Sequence, residues 1–327
     1  HHLVHRGIKL LHLLIGLLAA AALLSKQSAL MWLPAVGVGC LLWDARCAWK
    51  FGVTSALAMG ACVGVLHLTS DGWSTFYLFE MPSHHGVVGD RKLGFWTEDL
   101  VPMYPLVLLG VLGFVAQASR GRGPALYLAA LGSGALLTSY LSRMHVGGFE
   151  NVMMYGFAGA CVLGGVALAD EARWLRAAAP ALLLLQFGWL GYEAYERGAA
   201  TLLPSAAHAR AHEELRAVVT AQEGPVWIPG HGHIAYRAGK GTGAHGQAIF
   251  DVLQLLPKLP DGMFDLAALA DPAKLAHLPP RAQRAVQALM TNTTCALAAG
   301  RFDAVVIDEV GAGVFPVDTT TVVPLAG

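Results

Sequence analysis

Over the first 195 positions apolar residues fall into long runs, and polar residues gather in the gaps between them. Seven runs are read, at 8–24, 29–43, 51–69, 101–117, 125–141, 152–169 and 177–195. A membrane-crossing helix needs about 20 mainly apolar residues, with roughly 17 as the lower bound. The pattern predicts an α-helical polytopic membrane bundle of about seven transmembrane helices over residues 1–199. Runs one and two are short, and only Ser25-Lys26-Gln27-Ser28 separates them. They read either as two crossings or as a re-entrant hairpin. Both return the chain to the same side.

The gaps differ in charge. Arg6 and Lys9 precede the first run, and Arg46 and Lys50 lie between runs two and three. Arg120 and Arg122 lie between runs four and five, and Arg173 and Arg176 between six and seven. The alternate gaps carry Lys26, Arg143, and Arg91 with Lys92 in a long loop. Cytoplasmic segments collect Lys and Arg, so the N-terminal end is expected in the cytoplasm. The loop 70–100, the loop at Arg143 and residues 200–327 are then expected outside, which in a bacterial inner membrane is the periplasmic side.

Within that loop Trp73, Phe76, Tyr77 and Glu80 share one helical face, and Pro82 is expected to end the helix. A second piece, 89–100, carries Leu93, Phe95 and Trp96. Both read as interfacial helices with aromatics at headgroup depth. Beyond residue 200 the pattern changes. Ser205 is placed to cap a helix through Gln222, with Leu215, Val218 and Val219 on its apolar face. Val226-Trp227-Ile228 reads as a buried strand, 281–299 as a helix and Ala304–Ile307 as a second buried strand. Residues 200–327 are therefore predicted to form a small extracytoplasmic α/β domain with parallel strands. Residues 257–280 are Pro-rich and read as an irregular excursion.

Composition agrees. Only 13% of the 327 residues are charged, against about 25% in soluble domains. Lys+Arg and Asp+Glu balance at 22 each with no basic stripe, so no nucleic-acid partner is expected. Five cysteines in so long a chain do not make a disulfide scaffold. None has a usable pairing partner by spacing, and all are expected to be free thiols that pack. The chain opens on His1-His2-Leu3 and closes just after a strand-like run. It is read as a piece of a longer polypeptide, without a signal peptide.

Candidate chemistry concentrates at Arg143-Met144-His145-Val146-Gly147-Gly148-Phe149-Glu150-Asn151. Arg clamps phosphate bidentately, His titrates or ligates, and the Gly pair permits a sharp turn or a close approach. The alternative is an interfacial loop that snorkels its charges. Lys26-Gln27 sits at the same expected side, where a lysine either snorkels or meets an anion such as a lipid phosphate. Between the interfacial helices lie Glu80, His84, His85, Asp90, Glu98 and Asp99. A divalent metal ion at His84-His85 is the one cofactor considered. In the outer domain His231 and His233 follow the first strand, where ligands gather in α/β sheets; the alternative is an exposed glycine-rich turn. Gly239-Lys240-Gly241-Thr242 is not a P-loop, because Gly241 stands where Ser or Thr should follow Lys. Asn292-Thr293-Thr294 is a glycosylation sequon, meaningful only in a eukaryotic secretory pathway. A transporter or channel is disfavoured, since ionisable residues inside the runs (Lys9, His12, His67) lie near their ends.

Three segments together resemble a family. They are Ser25-Lys26-Gln27-Ser28, Gly72-Trp73-Ser74-Thr75-Phe76-Tyr77 leading to Glu80-Met81-Pro82, and Arg143-x-His145-x-Gly147-Gly148-x-x-Asn151. The chain resembles bacterial membrane glycosyltransferases of the GT-C superfamily, family 39-like, related to protein O-mannosyltransferases and lipid A aminoarabinose transferases. The resemblance spans residues 8 to about 254. It implies transfer of a sugar, with inversion, from a polyprenyl-phosphate donor to a lipid or glycan acceptor on the outer face. Arg143 and Lys26 would hold the donor phosphate, with Gln27 beside them and His145 assisting. Glu150 and Asn151 would orient the sugar or the loop, Gly147 and Gly148 would shape it, and Trp73 and Tyr77 would stack on lipid or sugar. His84, His231 and His233 are further substrate-binding candidates. In such enzymes the catalytic carboxylate lies in a first outer loop that has no counterpart here. The chain is thus expected to be the C-terminal part, and Glu80, Glu98 and Asp99 are weak stand-ins for the base. The competing expectation is a non-catalytic membrane protein whose outer domain binds a glycan or protein partner.

Overall fold

The computed structural model describes residues 2–324 except 197, 199–202, 204, 242, 244, 260–263, 300, 303 and 309–319. The described chain is mostly helical. In its first part lie α1 (His2–Ser25), α2 (Ala29–Trp43), α3 (Ala45–Thr69), α4 (Trp73–Thr75), α5 (Met81–Ser83) and α6 (Arg91–Gly94). Then come α7 (Tyr104–Ala118), α8 (Arg122–Met144), α9 (Met154–Leu168) and α10 (Arg173–Glu196). The later part holds α11 (Ala206–Ala221), β1 (Val226–Trp227), α12 (Gly232–Arg237), α13 (Gly246–Leu253), α14 (Pro272–Leu275), α15 (Pro280–Leu289), α16 (Cys295–Ala298), β2 (Ala304–Asp308) and β3 (Thr320–Pro324). Two compact units result, one of His1–Phe79 and His85–Gly198, the other of Glu80–His84 and Ala199–Gly327.

Four described stretches are long and apolar enough to cross a membrane: Ala45–Thr69, Arg91–Ala118, Arg122–Met144 and Glu150–Leu168. Four is fewer than the seven runs. All of α2, 15 residues, is shorter than a span; α1 is 24 residues long, and its stretch Leu14–Ser25 is apolar. The seventh run falls in α10, where Pro180, Gln186 and Glu193 interrupt it.

Breaks between helices follow local chemistry. Asp44, at φ −153°, stops α2, and its carboxylate accepts the Arg46 N–H to start α3. Residues 89–100, expected as a separate interfacial piece, instead lead into α7 through a π-helical turn at Phe95–Asp99 and a 3-10 turn at Val101–Met103. Pro102 does not end this stretch, because buried Gln186 of α10 repairs it. The Gln186 Oε1 accepts from Leu106 N–H at 3.1 Å, and its Nε2 donates to Pro102 O at 2.7 Å. Those two backbone groups are four residues apart, so the amide stands in for one rung of the helical ladder. Likewise Pro82 falls inside the last helical turn, α5, after a π-helical Phe76–Glu80.

Packing in the first unit pairs α2 with α8, α7 with α9, α8 with α9, α1 with α3, and α10 with α7. Small residues let the backbones approach. A Cβ on Gly113 of α7 would stand 2.6 Å from Leu163 O of α9. Phe95, Leu100, Met103, Leu106, Met153 and Ala160 form a buried cluster under the π-helical turn.

The second unit buries Val219, Val226, Ile228, Ile234 and Ala235 together, with Leu215 packed against them. Ser205 caps α11 as expected, accepting from His208 N–H at 3.1 Å. Strand β1 pairs parallel with β2, and β3 adds antiparallel to β2, in the order β1-β2-β3. The parallel pair matches the two expected strands; β3 is an addition. The strands are short, so this unit too is mainly helical among its described residues. All five cysteines are free.

Candidate functional site

Two of the three segments that carry the family resemblance meet at one end of the first unit. Lys26, in the turn between α1 and α2, donates from Nζ to Asn151 Oδ1 at 3.0 Å, across 125 residues of chain. Two residues further along, buried Ser28 Oγ bonds the Tyr155 hydroxyl at 3.1 Å. Tyr155 stands edge-on to Trp32 at 5.8 Å. The spacing Asn151 to Tyr155 keeps both on one helical face, facing the chain that runs from Lys26 through Ser28 to Trp32. Lys26 is half-buried, and loss of hydration holds its ammonium below the ordinary lysine range. An anion beside it would reverse that shift.

The Arg143 loop is built by a second arginine. Val87 bridges His145 as in an antiparallel ladder, with Val88 N–H on Met144 O at 2.8 Å and Val146 N–H on Gly86 O at 2.9 Å. Across this ladder Arg91 Nη1 donates to His145 O at 2.9 Å, Gly148 O at 3.0 Å and Arg143 O at 3.3 Å. Three carbonyls thus converge on one guanidinium nitrogen. The two glycines serve different needs. Gly147 adopts φ +82°, the left-handed region. Gly148 has no room for a Cβ, which would overlap Ser142 O and stand 2.8 Å from Arg143 O and 2.9 Å from His145 O.

Arg143 itself is held by protein. Its Nε and Nη2 donate to the two carboxylate oxygens of Asp99 at 2.6 and 2.9 Å, and its Nη1 donates to Gly148 O at 2.6 Å. Both partners are largely shielded, with side-chain exposures of 16% and 11%. Asp99 ends the π-helical turn, a geometry rare in helices and frequent at functional sites.

The remaining candidates are spread out. Gln27, Glu98 and Glu150 are exposed, while the ring of half-buried His145 lies 6.3 Å from that of His85. Trp73 and Tyr77 lie 6.1 Å apart, each edge-on to buried Phe76. Glu80 ends the π-helical segment Phe76–Glu80, and its Oε1 is buried without a hydrogen-bond partner among the described residues. Glu80 and His84 group with the second unit. There His231 and His233 stand perpendicular at 5.8 Å, and His212 of α11 stacks on His233 at 5.6 Å. Among the described residues no group of three or more His, Cys, Asp or Glu is arranged to hold a metal ion.

Arg91, Tyr155 and His212 escape sequence reasoning. Arg91 looks like one of two loop charges, and only the fold shows its carbonyl partners. Tyr155 carries a usable signal, since it stands four residues after Asn151. Comparisons with protein-family models, with curated proteins and with solved structures found no match.

Proposed function

We propose that the protein is part of a GT-C-type membrane glycosyltransferase that binds a polyprenyl-phosphate sugar donor at the Lys26–Asn151 end of its helical unit. One observation carries the reading: Lys26 and Asn151, from two separate segments of the resemblance, meet at 3.0 Å. A half-buried ammonium with one neutral partner is suited to a lipid phosphate, which would restore the charge stabilisation that burial removes. Asn151 and exposed Glu150 and Gln27 offer polar groups for sugar hydroxyls.

In the reaction the acceptor oxygen attacks the anomeric carbon, the carbon–oxygen bond to phosphate breaks, and the lipid phosphate leaves with the electron pair. Cations at the phosphate stabilise that leaving group. The acceptor proton passes to a carboxylate base, which the resemblance places in a loop with no counterpart in this sequence. The same reading takes α1, α2 and α10 as additional membrane elements, seven in all. It takes residues 200–327 as an outer α/β domain and sets that domain and the Lys26–Asn151 end on the periplasmic side, opposite the Arg- and Lys-rich gaps.

The test uses the full chain in phosphatidylcholine nanodiscs and a polyprenyl monophosphate as probe. Lys26→Ala is expected to weaken binding at least about tenfold, while the uncharged polyprenol binds both proteins alike. Equal phosphate binding by the two proteins overturns the reading.

A further inference from the structure

We propose that Asp99 is a built-in competitor for the anionic ligand of this site: it occupies the guanidinium fork of Arg143 that a phosphate would use. The inference rests on the donor-site reading and adds regulation to it. Arg143 has five N–H donors. Asp99 takes the Nε and Nη2 edge in a bidentate pair at 2.6 and 2.9 Å, and Gly148 O takes Nη1 at 2.6 Å. That edge is one of two whose parallel donors match a phosphate, and Gly148 O sits on Nη1 of the other. A phosphate therefore reaches it only by displacing the carboxylate. The exchange trades one anion for another, so the guanidinium is never left bare, and only Asp99 must find new partners.

The mounting of Asp99 suits such an exchange. It is the last residue of the π-helical turn Phe95–Asp99, and Leu100 N–H closes that turn on Phe95 O at 2.9 Å. Beneath the turn Phe95 and Leu100 are buried, so the backbone stays anchored while the carboxylate swings. The loop carrying Arg143 is anchored independently by Arg91, through three carbonyls. Opening the pair thus needs two side chains to move and no helix to shift. The resemblance assigns both Lys26 and Arg143 to the donor phosphate; on that assignment Lys26, with a neutral partner, would make the first contact and Arg143 the second, so Asp99 sets how tightly the site holds its anion.

The experiment measures polyprenyl monophosphate binding to the full chain in phosphatidylcholine nanodiscs, comparing wild type, Asp99→Asn, Arg143→Gln and the double variant. Asn keeps the size and one acceptor oxygen but removes the charge. Asp99→Asn is expected to bind about tenfold more tightly, and the gain is expected to vanish in the double variant. Unchanged or weaker binding by a folded Asp99→Asn overturns the proposal. If Lys26→Ala also binds as wild type does, the donor-site reading fails with it. If Lys26→Ala weakens binding and Asp99→Asn changes nothing, only the competitor role fails. Should Asp99→Asn not fold, the wild type decides through its dependence on a competing carboxylate. Raising acetate from zero to 200 mM at constant ionic strength should leave affinity unchanged if Asp99 already fills the fork. A progressive loss overturns the proposal.

Discussion

Arg91 offers the sharpest test of how the Arg143 loop is held. Arg91→Met keeps the length and apolar stem of the side chain and removes its guanidinium. A hydrogen bond from a charged donor contributes about 1.5–3 kcal/mol. One nitrogen shared among three carbonyls does not supply three such bonds. The 2.9 Å contact to His145 O is the strongest, those at 3.0 and 3.3 Å are weaker, and Arg143 still serves Gly148 O at 2.6 Å. A loss of about 2 kcal/mol follows, near the low end because Arg91 is partly exposed. The loss is local, since the loop is tied by two backbone bonds and opens without the helices. Amide exchange reads it. The Val146 and Gly148 N–H groups, bonded to Gly86 O and His145 O, should exchange roughly 30-fold faster in Arg91→Met. Leu109 and Ala116, deep in α7, should be unaffected. Arg91→Lys should fall between, because an ammonium reaches fewer carbonyls at once. Unchanged exchange at Val146 and Gly148 would refute the reasoning, and equal acceleration throughout α7 would show that Arg91 supports the bundle and not the loop.

Three further outcomes are expected. Gly148→Ala should destabilise the folded chain by about 1–3 kcal/mol in thermal unfolding, because its Cβ meets backbone oxygens that cannot yield. Gly147→Ala meets no atom within 4 Å and should cost only about 1 kcal/mol, for its positive φ; the reverse order would show the loop geometry to be misread. Gln186→Leu leaves Leu106 N–H and Pro102 O without the amide and should lower stability by about 1–2 kcal/mol, less if the two groups then pair with each other; no loss in a melting experiment counts against the repair. His233 is held below the ordinary histidine range by burial, then by His231, His212 and Arg237. Its folded pKa is thus lower than its unfolded one, so the second unit should keep its full stability above about pH 6.5 and lose some as pH falls through that value. In His233→Asn that slope should flatten, and an identical pH profile would exclude His233 as its source.

The helical stretches are legible because membrane burial leaves a strong mark: each is a run of apolar residues closed by charge or glycine. Counting them is harder. Ala29–Trp43 reads as one of two short runs, either a crossing or half of a re-entrant hairpin, and its 15 residues fall short of a span. The 101–117 run hides its true start at Arg91, because Glu98 and Asp99 interrupt the apolar pattern just before it. What carries the helix past Pro102 is Gln186, about 80 residues away, and no local pattern announces that. The same holds in the second unit, where Val226 and Ala304 are visible as strand residues but their parallel register is not.

At the candidate site the residue types were legible and the partnerships were not. Arg143 reads as a phosphate clamp because guanidinium and phosphate are complementary, yet the fold gives its fork to Asp99, itself singled out only as a carboxylate in need of a role. Two candidates named for opposite reasons satisfy each other. Lys26 is the contrary case, read as a charge that either snorkels or meets an anion, and found half-buried against a neutral amide. The physical distinction is charge compensation. A cation paired with a carboxylate must exchange partners before it binds an anion, whereas one paired with an amide gains on the first encounter. Under the proposed donor-site reading, Lys26 and Arg143 are therefore not interchangeable halves of one clamp: Lys26 would receive the anion, and Arg143 would have to release Asp99 before holding it.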